Sequence, residues 1–582
     1  MNSESRTCQN CKKSFTIEPD DFAFYEKIKV PPPTFCPECR LQRRMAFRNE
    51  RTLYKRKCEA PGHSEELISV FSADNQQKVY DHKAWWGDDW DAQTFARDFD
   101  FSKTFFSQVG ELWREVPDIA LLNINPVNSD YCSITEGNKN CYLVIGGDFN
   151  ENSAYSAFIF NSKECLDAYW ILKCEYNYET VDCNQCSKLV FSRYCEGCYD
   201  SAFLLNCRNC HDCFGCVNLV NKSYCIFNEQ YSKEEYKAKM AEINLGKYKT
   251  LEEIKEKFKR ESAKFPRRYA HAIHAINSTG DNLEETKNCK LCFDVADGAK
   301  DSSYIWLAYS NLANCLDCDH SGLKSEDGYE SSSLYPGSRA FFSRLIIGCH
   351  DVQYSYNCHN SSNLFGCVGL RNKKFCILNK QYSEEEYLKL VPKIIEQMSA
   401  MPYVDKQGRV YKYGEFFLIE ASPFAYNETV AQELAPLTKA EVEKEGYVWR
   451  EPEVKEHKGT IDSKDLPDDI KDVKDSVLKE VITCEHDGGC TEQCTKAFRL
   501  TQSELDFYRK MNLSLPRFCH SCRHYQRISQ RNPLKLWPRK CMCEGKKGVK
   551  SQSQIAYENV SEHFHGDSKC DENFETSYSP DR

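Results

Sequence analysis

Cysteine recurs every nine residues through the middle of this chain. In CYDSAFLLNCRNCHDCFGCVNLVNKSYC the step links Cys198, Cys207, Cys216 and Cys225, and it returns 151 residues later as Cys349, Cys358, Cys367 and Cys376. The same offset carries CIFNEQYSKEEY onto CILNKQYSEEEY. A fixed short period predicts a repeat architecture in which each unit buries its apolar face against the next. Nine residues at about 3.3 Å each make too small a coil to enclose an interior, so two units, about 18 residues, are expected per turn. Cys132–Cys141, Cys165–Cys174–Cys183 and Cys186–Cys195 extend the ladder. The calcium nonapeptide GGxGxD does not occur, which argues against a calcium roll.

The run Cys207, Cys210, Cys213, Cys216 has the look of an iron–sulfur ligand set. The second copy argues otherwise, because Ser361 and Leu364 stand where Cys210 and Cys213 stand in the first. A leucine cannot ligate, so these cysteines read as small buried residues. Each ladder closes on a helix start: Ser232-x-x-Glu235 and Ser383-x-x-Glu386 are capping boxes. Helices are also expected over 102–116, after Thr438, and in DDIKDVKDSVLKEVI, with a hairpin around Lys406-Gln407-Gly408.

Both flanks carry metal-type spacing. Cys8-x-x-Cys11 is followed by Cys36-x-x-Cys39, and an offset of 483 maps Cys11, Cys36 and Cys39 onto Cys494, Cys519 and Cys522, with Cys490 completing the second frame and Cys484 extra. Four thiolates in two pairs suit a closed tetrahedral Zn2+ site of structural type. Cys58 with His63 is a weaker candidate, weighed against an apolar mini-core of Trp85, Trp86 and Trp90. Cys541, Cys543 and Cys570 are weaker still, and FETSYSPD near the end resembles LISVFSAD in the first module. No closing CxxC follows, so that loop is expected to be truncated or degenerate.

A basic helix follows each frame. Arg40, Arg44, Arg48 and Arg51 share one face with Arg43 beside them, and Arg523, Arg527 and Arg531 repeat the spacing. Such a face suits phosphate oxygens, or acids of its own module.

The order CxxC, Phe, an acidic turn before Phe-Tyr, Pro-x-x-Cys-x-x-Cys-Arg and a basic helix resembles the probable zinc-ribbon (treble-clef-like) family at both ends, over about 50 residues each. The whole layout resembles large cysteine-rich zinc-ribbon proteins of bacteria with small genomes. The resemblance implies zinc at Cys8, Cys11, Cys36 and Cys39 and at Cys490, Cys494, Cys519 and Cys522, and implies no particular activity.

The 582 residues carry 34 cysteines and a formal charge of −10, with a mean hydropathy of −0.65. No apolar run approaches a membrane span, and the opening MNSESRTCQNC has no signal-peptide pattern. A cytoplasmic protein with reduced thiols is expected. The expected fold is multidomain and mainly β: an N-terminal zinc module at 1–90, a helical connector at 91–128, β-solenoid regions at 129–236 and 277–390 joined by a helical linker at 237–276, a mixed region at 391–483 and a C-terminal zinc module at 484–582. The function expected is non-enzymatic binding of RNA or DNA backbone through the arginine helices. A protein-interaction scaffold is the first alternative, and a carbohydrate-active β-helix enzyme a remote one.

Overall fold

A computed structural model describes residues 2–451, 459–540, 549–550, 556–557 and 572–580. Its centre is a pair of parallel β-solenoids with an unusually tight coil. Ala157 pairs with Tyr169, Tyr169 with Val181 and Val181 with Arg193, so one turn takes 12 residues and not the 18 expected from the cysteine step.

The coil is built of triplets. Tyr155, Phe158, Asn161, Glu164, Asp167 and Trp170 all have φ between 50 and 55°. Every third residue thus turns a left-handed corner, and four three-residue sides close each turn. An L-residue at such a corner costs about 1–2 kcal/mol, so the conformation persists only if the coil returns more than that. Hydrogen bonding provides the return. Ala157 N–H donates to Ala168 O at 3.0 Å and Phe158 N–H to Ile145 O at 2.7 Å, one bond up the solenoid and one down. The third N–H of the triplet goes to an inward side chain one turn earlier: Cys165 N–H to Ser153 Oγ, 3.1 Å, and Cys174 N–H to Ser162 Oγ, 3.1 Å.

This arrangement explains the cysteines. Only four inward side chains fit per turn, so they must be small, and most must accept a backbone N–H. Serine, asparagine and cysteine meet both demands. Ser361 N–H donates to Cys349 Sγ at 3.3 Å, and the Cys349 thiol donates to Cys358 O, nine residues on, at 3.3 Å. A nine-residue step is one turn less one side, so the ladder winds diagonally. Cysteines 12 apart, such as Cys183 and Cys195 or Cys213 and Cys225, stack directly. None of the described cysteines forms a disulfide.

The second solenoid varies the same plan. Phe293 pairs with Trp306 and Trp306 with Asp319, a register of 13, and the extra residue appears as adjacent left-handed corners at Ser310 and Asn311 and at Leu323 and Lys324. From Ser332 onward the register is 12. Both solenoids end on a short antiparallel strand, Glu229–Gln230 and Lys380–Gln381, and then on the two capping-box helices Lys233–Ala241 and Glu384–Ala400.

The solenoids lie side by side and run in opposite directions. Gly146 meets His320, Phe158 meets Trp306 and Asn282 Nδ2 donates to Asp182 Oδ1 at 3.1 Å, so contacts rise along one chain segment as they fall along the other. Helix Phe105–Glu115 packs on the end of the second solenoid, with Trp113 stacked on Tyr356 at 4.1 Å. The hairpin Tyr403–Val404/Val410–Tyr411 and the helix Lys439–Lys444 form at the positions expected. The stretch DDIKDVKDSVLKEVI does not form the α-helix expected of it. It makes two 3-10 turns, Ile470–Asp472 and Asp475–Lys479, which place Ile470, Val473 and Val477 in the apolar cluster under the C-terminal module. No described helix is long and apolar enough to cross a membrane.

Candidate metal centres

Two folded knuckles bring four thiols together at each end. In the N-terminal module the hairpin Glu4–Thr7/Ser14–Ile17 presents Cys8 and Cys11 at its turn, which Lys12 makes with φ 62°. Cys36 is the N-cap of helix Pro37–Met45, with Pro37 at the first helical position, and Cys39 lies in the first turn. The sulfurs of Cys8, Cys11, Cys36 and Cys39 all lie within 4.8 Å of one another, with Cys11 Sγ 3.7 Å from Cys36 Sγ. Metal–sulfur bonds of about 2.3 Å in a tetrahedron separate sulfurs by roughly 3.8 Å, so the donor set fits a zinc-type ion. Cys36 N–H donates to Cys8 Sγ at 3.3 Å, a bond that favours thiolate. The neighbouring thiols of Cys36 and Cys39 push the Cys8 thiol well below its ordinary pKa.

The C-terminal site is built the same way, from a different cysteine than the spacing suggested. Cys484, Cys494, Cys519 and Cys522 form the four-sulfur group, with Cys519 Sγ 3.5 Å from Cys522 and 3.9 Å from Cys494. Cys484 occupies the place of Cys8. Its N–H donates to Lys496 O as that of Cys8 donates to Lys13 O, and its sulfur accepts from Cys519 N–H at 3.2 Å as that of Cys8 accepts from Cys36 N–H. Cys490 therefore moves out of the expected frame. The knuckle tolerates the longer reach because the intervening residues loop outward. Cys490 stays beside the site, 3.7 Å from Cys522 Sγ.

Cys58, His63 and Asp81 form a third, three-donor group. Cys58 Sγ and His63 Nδ1 lie 3.2 and 2.9 Å from Asp81 Oδ2, while Asp81 Oδ1 caps helix His82–Trp86. The same Cys58 belongs to an apolar cluster with Trp85, against which Trp86 and Trp90 pack. Cys541, Cys543 and Cys570 lie outside the described residues. Strand Trp537–Lys540 pairs with Asn573–Thr576 as Tyr54–Lys57 pairs with Glu66–Ser69, which places FETSYSP as the structural counterpart of LISVFSA. The ladder cysteines form none of the donor groups found among the described residues.

The arginine faces are not surface. Arg40, Arg43, Arg44 and Arg48 are at most 2% exposed, and Arg523 and Arg527 at most 4%. Each helix docks on the solenoid distant from it in sequence. Arg40 Nη2 lies 2.8 Å from Asp317, Arg44 Nε 2.8 Å from Asp319, and Arg43 bridges Glu330 and Glu415 at 3.2 and 3.1 Å. Arg48 pairs with Glu50 and Asp319. At the other end Arg523 and Arg527 pair with Asp167, Arg527 also with Glu179, and Arg531 with Asp182 and Asp294. Arg51 is half-buried against Glu433, which also meets His524 at 3.2 Å, so one carboxylate joins the two modules. Burial opposes the charge on Arg43, but Glu330 and Glu415 outweigh it and hold its pKa above the arginine norm. The spacing that suggested phosphate serves this docking instead. Arginines one helical turn apart, about 6 Å, face carboxylates two residues apart in one strand, as Asp317 and Asp319, or one coil apart, about 4.8 Å, as Asp167 and Glu179. Most of the acids are on the solenoids; Glu50 belongs to the N-terminal module itself, and Glu415 and Glu433 to the segment that follows the second solenoid.

No family model matches the chain, and no curated protein is similar to it.

Proposed function

We propose that this chain is a non-catalytic scaffold, in which structural zinc at the two four-cysteine sites sets the modules as clasps and the paired solenoids present long, rigid faces to a protein partner. The observation that carries this reading is the destination of the arginines. Helices that would otherwise be the obvious nucleic-acid surface are consumed in internal ion pairs, and the same pairs hold each module across a solenoid. The outward faces are repetitive. Asn128, Asn140, Asn152 and Glu164 are joined by side-chain hydrogen bonds at 12-residue steps, and Glu151 lies between Lys139 and Lys163. A surface of that kind is already ordered before binding, which lowers the entropic cost of association.

Affinity purification of the full chain with and without nuclease tests the reading. A defined protein recovered under both conditions supports it. Recovery only of nucleic acid, or of partners lost on nuclease treatment, overturns it.

A further inference from the structure

We propose that the C-terminal module binds a second divalent, thiophilic cation, held by His486, Cys490 and Glu492 and joined to the first through a bridging Cys522 thiolate. Among the described residues the N-terminal module shows no such second group beside its four sulfurs.

The two modules differ in the length of the first knuckle. Two residues separate Cys8 from Cys11, whereas nine separate Cys484 from Cys494. The inserted loop carries all three extra donors, and His486, Cys490, Glu492 and Cys522 form a donor group within 4.8 Å that overlaps the four-sulfur group only at Cys522. Cys522 is the hub: Cys519 Sγ lies at 3.5 Å, Cys490 Sγ at 3.7 Å, Cys484 Sγ at 3.9 Å and His486 Nδ1 at 3.3 Å. Five thiols cannot all serve one tetrahedral ion.

Two further observations point to a ligand. Glu492 Oε2 is buried and accepts no hydrogen bond, although His486 Nδ1 stands 3.3 Å from it. An unsatisfied buried carboxylate oxygen is costly and calls for a cation. Moreover, the sulfur equivalent to Cys522 in the N-terminal module, Cys39, accepts from Asn10 Nδ2 at 3.5 Å. The C-terminal loop replaces that N–H donor with a thiol, an imidazole and a carboxylate. The Phe518 ring, 4.7 Å from that of His486, fixes the imidazole orientation. Two thiolates, one imidazole and one carboxylate make a borderline donor set suited to zinc. His486, Cys490 and Glu492 are all partly exposed, so this ion exchanges faster than the first.

This inference rests on the reading of Cys484, Cys494, Cys519 and Cys522 as a metal site. The test measures metal per chain in the full-length protein saturated with zinc, for wild type, for His486→Gln with Cys490→Ser, for Glu492→Gln as a milder change, and for Cys494→Ser. The double variant is expected to lose one ion per chain while keeping its far-ultraviolet circular dichroism. Cadmium-113 spectra of the wild type should include, beside the signal of the N-terminal site, two resonances coupled through a shared sulfur, with the coupling gone in the double variant. An unchanged metal content in the double variant, with a lower one in Cys494→Ser, refutes the bridged ion alone. An unchanged content in both refutes the C-terminal metal reading, and this inference with it.

Discussion

Tyr304 on the second solenoid donates its hydroxyl to Asp21 of the N-terminal module at 3.1 Å, across 283 residues of chain. Its counterpart is Tyr155 on the first solenoid, which donates to Glu504 of the C-terminal module at 2.8 Å. The correspondence extends outward. Arg40 lies over the Tyr304 ring and Arg523 over that of Tyr155; Asp317 answers to Asp167, and Glu330 to Glu179; Tyr25 packs on Tyr329 as Tyr508 packs on Tyr178. The duplicated unit is therefore a module together with the solenoid it grips. The chain connects these units so that each terminal module reaches past the nearer solenoid to the farther one.

The arginines of this grip are irreplaceable by a neutral side chain. Arg44→Gln leaves Asp319 and Glu330 short of a counter-charge inside the protein, and Arg527→Gln does the same to Asp167 and Glu179. Removing one partner of a buried pair costs about 3–5 kcal/mol. Thermal or urea unfolding of each variant should show a loss of that order with metal content unchanged. A loss under about 1 kcal/mol is what a surface pair gives and would contradict the docking described.

Metal removal should act on the modules first. Structural zinc is worth about 10–16 kcal/mol in finger peptides, and Cys36 sets both a thiolate and the start of helix Pro37–Met45. Cys36→Ser is expected to release one ion per chain, by elemental analysis, and to expose the buried arginine helix to limited proteolysis. The solenoid strands, whose bonds do not pass through the site, should keep their amide-exchange protection.

Within the ladder, shape and hydrogen bonding should matter and metal should not. Cys349 accepts from Ser361 N–H and donates to Cys358 O. Cys349→Ala strands both and should cost about 1–3 kcal/mol. Cys349→Ser, which substitutes the residue the coil uses elsewhere for the same bonds, should cost less. Neither should change the metal content; a fall would make the ladder a binding site.

Asp118 provides a pH signature. It is 3% exposed, and burial pushes its carboxyl up to about 6, although Ile119 N–H and Asn357 Nδ2 donate to it. A carboxyl whose folded pKa exceeds its unfolded value binds its proton more tightly in the folded state. Its contribution is complete below the unfolded value near 4 and is lost as the pH rises through 6, about 3 kcal/mol in all. Stability of the wild type should therefore decline relative to Asp118→Asn between pH 4 and pH 7. Parallel curves for the two proteins over that range would exclude the effect.

Much of this molecule was written locally and was legible for that reason. Nine-residue steps, capping boxes at Ser232 and Ser383 and paired CxxC motifs are relations between residues a few positions apart, and each implies a short-range geometry. The coil length was also present, in the 12-residue steps Cys183–Cys195–Cys207 and Cys186–Cys198–Cys210, but its cause was not. The left-handed corner at every third residue is most often Asn, Asp or Gly, the types that tolerate it, but Trp170, Phe158 and Glu164 hold it too, and these interrupt the pattern along the sequence. Two matters were settled only by the folded chain. Cys484 displaced Cys490 because a loop can swing out at little cost, and sulfur position, not sequence distance, defines a site. The arginine face found carboxylates because a guanidinium offers the same fork to a phosphate as to Asp317 or Glu330, and only docking across 277 residues decided which of them it would meet.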